Sequence, residues 1–382
     1  MYAGPFCTML LKELGAEVIK VEFRGSGDAV RASPPITEGG EGYIFIILNR
    51  GKKAITLDLR ADEGREIAGK LIKKADILVE NFTLGVMDKL GLSYEKVSKA
   101  NPKLIYASLS GFGQTGPYRS QPAFGLIAQA MGGWMSITGF PDDPPTKTGP
   151  SLADFMGALY AATSILAALQ YRHKTGEGQE IDISLQDCVW ATTAVEFSPP
   201  YFLRGEVPQR LGNGLPDVVP WGTYPAKDGY VALPIPLAGQ WETFVKLAGR
   251  EDLLRDPESM TLKERVKHRS ETDAIVSEWT KERMVAEVLK EMSKVHLPCA
   301  PIPTIDKVVN DPQLLSRGMI TEVEQTISGK LKVPGSVFKL SKTPGDPMAP
   351  APFLGQHNYE VYSALLGYSE EEIKKLQDEG VI

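Results

Sequence analysis

One carboxylate stands apart in this chain. Asp154 lies in Ser151-Leu152-Ala153-Asp154-Phe155, at the head of the uncharged stretch Phe155 to Tyr171, FMGALYAATSILAALQY. An aspartate at the start of a helix caps it and meets the positive end of the helix dipole. The same placement beside apolar surface also keeps an ionised carboxylate poorly hydrated, and so available as a nucleophile toward an activated acyl group. Position alone leaves both readings open.

Other chemistries find less support. Only four histidines occur, His173, His268, His296 and His357, and none precedes residue 173. A histidine general base is therefore absent from the first βα loops. His173 and His268 sit in charged helical surroundings, and His357 stands in a loop without a partner nearby in sequence. Arg24-Gly25-Ser26-Gly27 follows a strand, where a dinucleotide loop would lie, but the third glycine of that fingerprint is replaced by Val30. NAD or FAD binding is not expected. No phosphate-binding P-loop, GxSxG elbow or HExxH pair is present. Cys7, Cys188 and Cys299 are far apart and make neither a CxxC pair nor a Cys/His metal pattern. Buried thiols in a reducing cytoplasm are expected, with no bound metal.

The elements that must position Asp154 follow a βαβ rhythm. A helix is expected over 5–15 and a strand over 17–22 (EVIKVE), then a strand over 54–59 (AITLDL) and a helix over 61–74. A strand over 76–81 (DILVEN), short helices over 84–90 and 94–100, and a strand over 104–109 come next. An apolar segment over 123–137, a Pro-rich loop over 142–150 and the long helix over 153–173 precede a strand over 180–184. A helix through 187–197 is stopped by Pro199-Pro200. Such alternation predicts a parallel sheet with helices on its faces. From about Gln209 the character changes: Gly- and Pro-rich loops lead to a strand over 229–234, then charged amphipathic helices over 239–295, a smaller α+β domain. The tail carries a helix near 305–310, strands over 320–324 and 330–333, a Pro-rich run over 344–352, and helices over 359–366 and 369–377.

Composition narrows the class. The chain has 382 residues, 42% of them hydrophobic and 24% charged, which suits two or three packed domains and excludes a disordered chain. With 37 glycines and 28 prolines, ordered loops should be plentiful. The formal net charge of −6 argues against a nucleic-acid binder. Phe155 to Tyr171 falls just short of a membrane span and carries Thr163, Ser164 and Gln170, so it is expected to be a buried helix. No signal-peptide pattern is read, and neither a membrane nor a nucleic-acid partner is expected.

Several segments resemble one family in the same order. Asp154 with GALYAATSILAALQYRHKTGEGQEIDISLQDCV resembles the core of the class III CoA-transferases, which include formyl-CoA transferase, carnitine CoA-transferase and α-methylacyl-CoA racemase. AGPFCTMLLKELGAEVIKVE, DILVENF, GFGQTGPYRSQPAFGLIAQAMGG, HLPCAPIPTIDKVVNDPQLLSRGM and APFLGQHNYEVYSALLGYSEEEI resemble the family's successive segments, across essentially the whole chain. The resemblance implies an α/β fold. A large Rossmann-like parallel-sheet domain is built from 1–195 and 319–382, with a smaller α+β domain over 218–300 inserted between linkers 196–217 and 301–318.

It also implies transfer of CoA from an acyl-CoA donor to a small carboxylic acid, with coenzyme A as part of the substrate and Asp154 as nucleophile. Aspartyl anhydride and aspartyl-CoA thioester intermediates would split a hard exchange into easier steps. Positions matching the family's CoA contacts are Tyr2, Arg24, Leu57, Arg60, Asn81, Phe82 and Lys89. Arg24 is offset by one from the usual basic position, which holds Phe23. Ala153 replaces a usual glycine, and Thr83-Leu84-Gly85 stands where a basic turn is common. An interlocked homodimer is implied. So is one strand ahead of the helix at Ala3, which would make this chain short by one strand at the CoA-binding edge. Two alternatives remain: an α-methylacyl-CoA racemase, which would need a His within 122–130 where none occurs, and a non-catalytic CoA-binding subunit of a hetero-oligomer.

Overall fold

The computed structural model describes residues 1–346 and 349–382, so the Pro-rich run over 344–352 lies partly outside the described residues. The chain divides into two compact units. The first gathers 1–132, 149–191 and 310–382, and the second 133–148 and 192–309. Residues 133–148, placed with the large domain by the sequence reading, group with the second unit.

In the first unit, strand β1 (Ile19–Glu22) pairs in parallel with β2 (Lys53–Thr56), and β3 (Ile77–Glu80), β4 (Ile105–Ser110) and β5 (Gln179–Ser184) form a separate parallel sheet in the order β3-β4-β5. The expected single sheet is thus two. Among the described residues, no strand pairs with the second edge of β1 or of β3, and Val21 of β1 remains 42% exposed. β4 is central: Ile105 through Leu109 are all buried, as a parallel strand covered on both faces requires. The outer edge of β2 is closed by side chains. Asn358 Oδ1 accepts from Thr56 N–H (2.8 Å), Tyr362 Oη donates to Thr56 O (2.6 Å), and His357 Nδ1 accepts from Ala54 N–H (3.1 Å). His357 therefore has a structural task. An edge of unmet donors and acceptors would be costly once buried.

Helix α1 (Ala3–Glu13) packs on α2 (Tyr43–Asn49), on β3 and on the long helix Leu152–Thr175. A buried ion pair and a buried lysine fix its far end and flank. Glu13 at its last turn pairs with Arg50, both almost wholly buried. Lys52 Nζ donates to Pro5 O (2.8 Å), Thr8 Oγ1 (2.9 Å) and Asn49 Oδ1 (3.0 Å), which uses all three of its protons. Burial holds its pKa well below the usual lysine range. The C-terminal hairpin, β9 (Ile320–Gln325) with β10 (Gly329–Pro334), is antiparallel and shares a core of Val30, Phe45, Ile46, Val323 and Val333 with α2.

The second unit holds an antiparallel sheet of β6 (Trp221–Ala226), β7 (Gly229–Pro234) and the short β8 (Ala300–Pro301). Helices over Ala238–Leu247, Arg269–Lys281 and Val285–Lys294 cover it around Trp241, Phe244, Trp279 and Met292. β6 is absent from the sequence reading because Gly222 and Pro225 interrupt its pattern. The helix Leu185–Glu196 ends just before Pro199-Pro200, as expected. The two prolines open a new helix, Ser198–Arg204, where missing N–H groups cost nothing. The apolar segment over 123–137 is broken in two by Gly132-Gly133, with Gly133 at φ +100°.

Removing one partner of a buried ion pair strands the other charge. Glu13→Ala should lower unfolding stability in denaturant titrations by about 3–5 kcal/mol. Glu17→Ala, which breaks the exposed pair with Lys53, should cost about 0–1 kcal/mol. Equal losses would contradict the burial argument.

Candidate active site

Asp154 is the third residue of the long helix, here α5 (Leu152–Thr175), and it is half-buried. The N-cap is Ser151, so the aspartate does not itself cap the helix. It sits in the first turn, where the dipole still favours a negative charge. Burial is the dominant influence and pushes its pKa above the ordinary carboxylate value. The helix holds it firmly because small residues line its buried side: Ala153, Gly157, Ala158, Ala161, Ala162 and Ala168. A Cβ on Gly157 would stand 2.3 Å from Leu185 Cδ2, so the glycine is what lets the helix approach this closely. The expectation of a buried helix holds for that side only: Leu159, Tyr160 and Leu166 are exposed.

Phe155, next to the aspartate, packs on Phe6 of α1 with ring centroids 4.8 Å apart. Tyr2 lies one turn before Phe6, half-buried, and its carbonyl accepts the Phe6 N–H (2.8 Å). Asn81, at the end of β3, joins the same group. Its Oδ1 accepts from Gly4 N–H (3.5 Å) and its Nδ2 donates to Leu109 O (2.5 Å). Tyr2 and Asn81 thus meet at the first turn of α1, whose Phe6 packs on Phe155, the residue after Asp154. On the other side, the loop after β4 meets the entry to helix α4 (Gly125–Met131). A Cβ on Gly111 would stand 2.3 Å from Ala123 Cβ, and a Cβ on Gly125 would stand 2.1 Å from Asp154 Oδ2. Of the histidines, only His173 shares the aspartate's helix, about 28 Å away along the axis at 1.5 Å per residue.

The cationic positions form a second group. Arg60 Nε and Nη2 grip Asp58 (2.9 and 2.8 Å), and its guanidinium lies 4.2 Å from the Phe23 ring centroid. Arg60 drives the Asp58 pKa down to about 2, with Arg24 a further, weaker influence. Arg24 lies beside Gly380, where a Cβ would stand 2.3 Å from its Nη1. Phe23, Arg24 and Arg60 therefore converge around Asp58. That aspartate was missed in the sequence, although Asp58-Leu59-Arg60 has the spacing for a local bidentate pair. Leu57 does not join them: its side chain is 1% exposed within the core, and only its main chain, donating to Glu22 O (2.8 Å), lies at the strand end. Phe82 is exposed, with its N–H bonded to Glu80 Oε2 (2.8 Å), and Lys89 is exposed on the short helix Val86–Lys89.

The parallel βα units thus place a partly desolvated carboxylate at a helix N-terminus and cations at a strand end. The model of CoA-transferase family III matches residues 1–358. The succinyl-CoA–D-citramalate CoA-transferase of Chloroflexus aurantiacus is 39% identical, over 100% of this chain and 94% of its own length. The succinyl-CoA:mesaconate CoA-transferase of Haloarcula hispanica is 38% identical, over 94% and 92%. A crystal structure of a CAIB/BAIF family protein from Brucella suis superposes with a TM-score of 0.82 at 36% identity, over 95% and 96%. The chain belongs to CoA-transferase family III and is an enzyme.

The raised pKa of Asp154 has a definite sign for stability. The folded chain disfavours the ionised form. The cost is therefore absent below the ordinary carboxylate pKa, grows as pH rises from that value through the raised folded one, and is complete above it. Asp154→Asn should be more stable than wild type at pH 7, and the two should converge as the pH falls below about 3.9, the unperturbed value. Parallel stability curves over that range would contradict a desolvated aspartate.

Proposed function

We propose that this chain moves CoA from an acyl-CoA donor to a carboxylic acid, with Asp154 as the covalent carrier. A carboxylate oxygen attacks the thioester carbonyl carbon, the C–S bond breaks, and the CoA thiolate leaves with the electron pair. The thiolate then attacks Cγ of the mixed anhydride, which frees the donor acid and leaves an aspartyl-CoA thioester. The acceptor carboxylate displaces CoA from that thioester to form a second anhydride. CoA finally attacks the acceptor's acyl carbon and restores the aspartate. No external proton or oxidant is needed, which suits a site with no histidine in the elements packed around the carboxylate.

The observation that carries this proposal is the half-buried Asp154 carboxylate at the start of a tightly packed helix. Poor hydration favours attack by a carboxylate that water would otherwise stabilise. The names of the relatives favour succinyl-CoA as donor and a short dicarboxylic acid as acceptor. For CoA itself we propose the exposed cations Arg24, Arg60 and Lys89 for the phosphates. The exposed Phe82 would meet the adenine, Tyr2 and Asn81 would lie on the thioester side, and Leu57 would contribute its main chain alone. The exposed apolar side of α5 supports a homodimer.

Labelled succinyl-CoA with candidate dicarboxylic acids tests the proposal. Asp154→Ala should lose at least about 10³-fold in kcat while still binding CoA. Deuterium uptake at C2 without CoA exchange would instead indicate racemisation. Transfer that appears only when a second, related chain is added would indicate a binding subunit.

A further inference from the structure

Gly125 is a glycine whose backbone does not require one. Its φ lies outside the left-handed region where the chain's other strained glycines cluster, it opens a regular helix, and it is buried. A side chain is excluded there for a steric reason, and the obstacle is one group. A Cβ at 125 would stand 2.1 Å from Asp154 Oδ2 and 3.1 Å from its Cγ, while the next neighbour, Ala153 Cβ, is 3.8 Å away in ordinary contact. Since a Cβ needs at least 3.0 Å, even a methyl group would force the oxygen back by about 1 Å.

What would yield matters. Gly125 and Asp154 belong to two packed helices, α4 and α5. Gly111 against Ala123 and a Gly132 with no room beside Val189 pin the entry and exit of α4. The backbone there has little freedom to shift. The carboxylate, at the free end of a side chain, can turn about χ1 and χ2. A substituent at 125 would therefore be accommodated by moving the oxygen and not by moving the helices.

We propose that Gly125 is the positioning residue that sets where the Asp154 carboxylate stands, by leaving empty the volume its Oδ2 occupies. This rests on Asp154 being the nucleophile. Displacing a reacting atom by about 1 Å costs on the order of 100-fold in rate, because attack on a carbonyl carbon needs a near-attack distance and line. The fold loses little, since alanine suits a helix better than glycine does.

Three preparations of the full-length enzyme test this: Gly125→Ala, Asp154→Ala and the double variant. Gly125→Ala should fold with a Tm within a few degrees of wild type, keep KM for the acyl-CoA, and lose about 100-fold in kcat. Its crystal structure should show Oδ2 displaced by about 1 Å with α4 and α5 in place. Wild-type kcat in Gly125→Ala, or a loss of kcat with the carboxylate undisplaced, would overturn the assignment. If Gly125→Ala fails to fold, the double variant decides: recovery of folding once the carboxylate is removed supports the steric cause, and continued failure refutes it. Should Asp154→Ala retain transfer, the nucleophile assignment fails on its own, and the crystallographic displacement still judges Gly125.

Discussion

The packing of α1 on α5 is the contact from which the rest of the site follows. It depends on small residues along one side of α5 and on the Phe6–Phe155 ring pair. Through it the first turn of α1 is brought beside Asp154, and through Gly4 that turn is tied to Asn81 at the end of β3. The Glu13–Arg50 pair and the three-way bonding of Lys52 then hold α1 at its far end and along its flank. Buried ion pairs contribute little net stability, but they penalise any arrangement that breaks them. A helix held this way has few alternative registers, and the carboxylate next to it inherits that restriction.

Desolvation and confinement act together on Asp154. Burial raises its free energy when ionised, and the positive end of the helix, where its own backbone N–H lies, offsets part of that cost. A neighbouring arginine would have lowered the pKa further and quenched the nucleophile, as Arg60 does for Asp58. The two aspartates illustrate opposite uses of one side chain. Asp58 is paired with Arg60 at a strand end, and Asp154 is governed mainly by burial.

Much of this architecture was legible in the sequence. The strands β1 to β5 follow from β-branched runs between Gly and Asp turns, and the long helix from an uncharged stretch ended by Gly176. Other features depend on partners remote in the chain. Leu57 reads as a residue within the strand over 54–59 and as a CoA contact by resemblance, but its core cluster includes Val361 and Tyr362, some three hundred positions later, which leave its side chain buried. His357 looked unemployed until its Nδ1 met the edge of β2. β6 was hidden by Gly222 and Pro225, and residues 133–148 carry no composition that assigns them to one unit or the other. Gly125 carried the least signal of all: a glycine at a helix start is ordinary, and only the carboxylate of another helix gives it meaning.

The central claim is that Asp154 itself carries the acyl group and CoA in turn. Turnover with an acceptor acid labelled in its carboxylate with heavy oxygen tests this most directly. Each cycle through an aspartyl anhydride leaves one acceptor oxygen on the enzyme. Mass spectrometry of the peptide containing Asp154 should therefore show heavy oxygen confined to that carboxylate, and growing with turnover. Transfer at full rate with no label in that peptide would contradict the account.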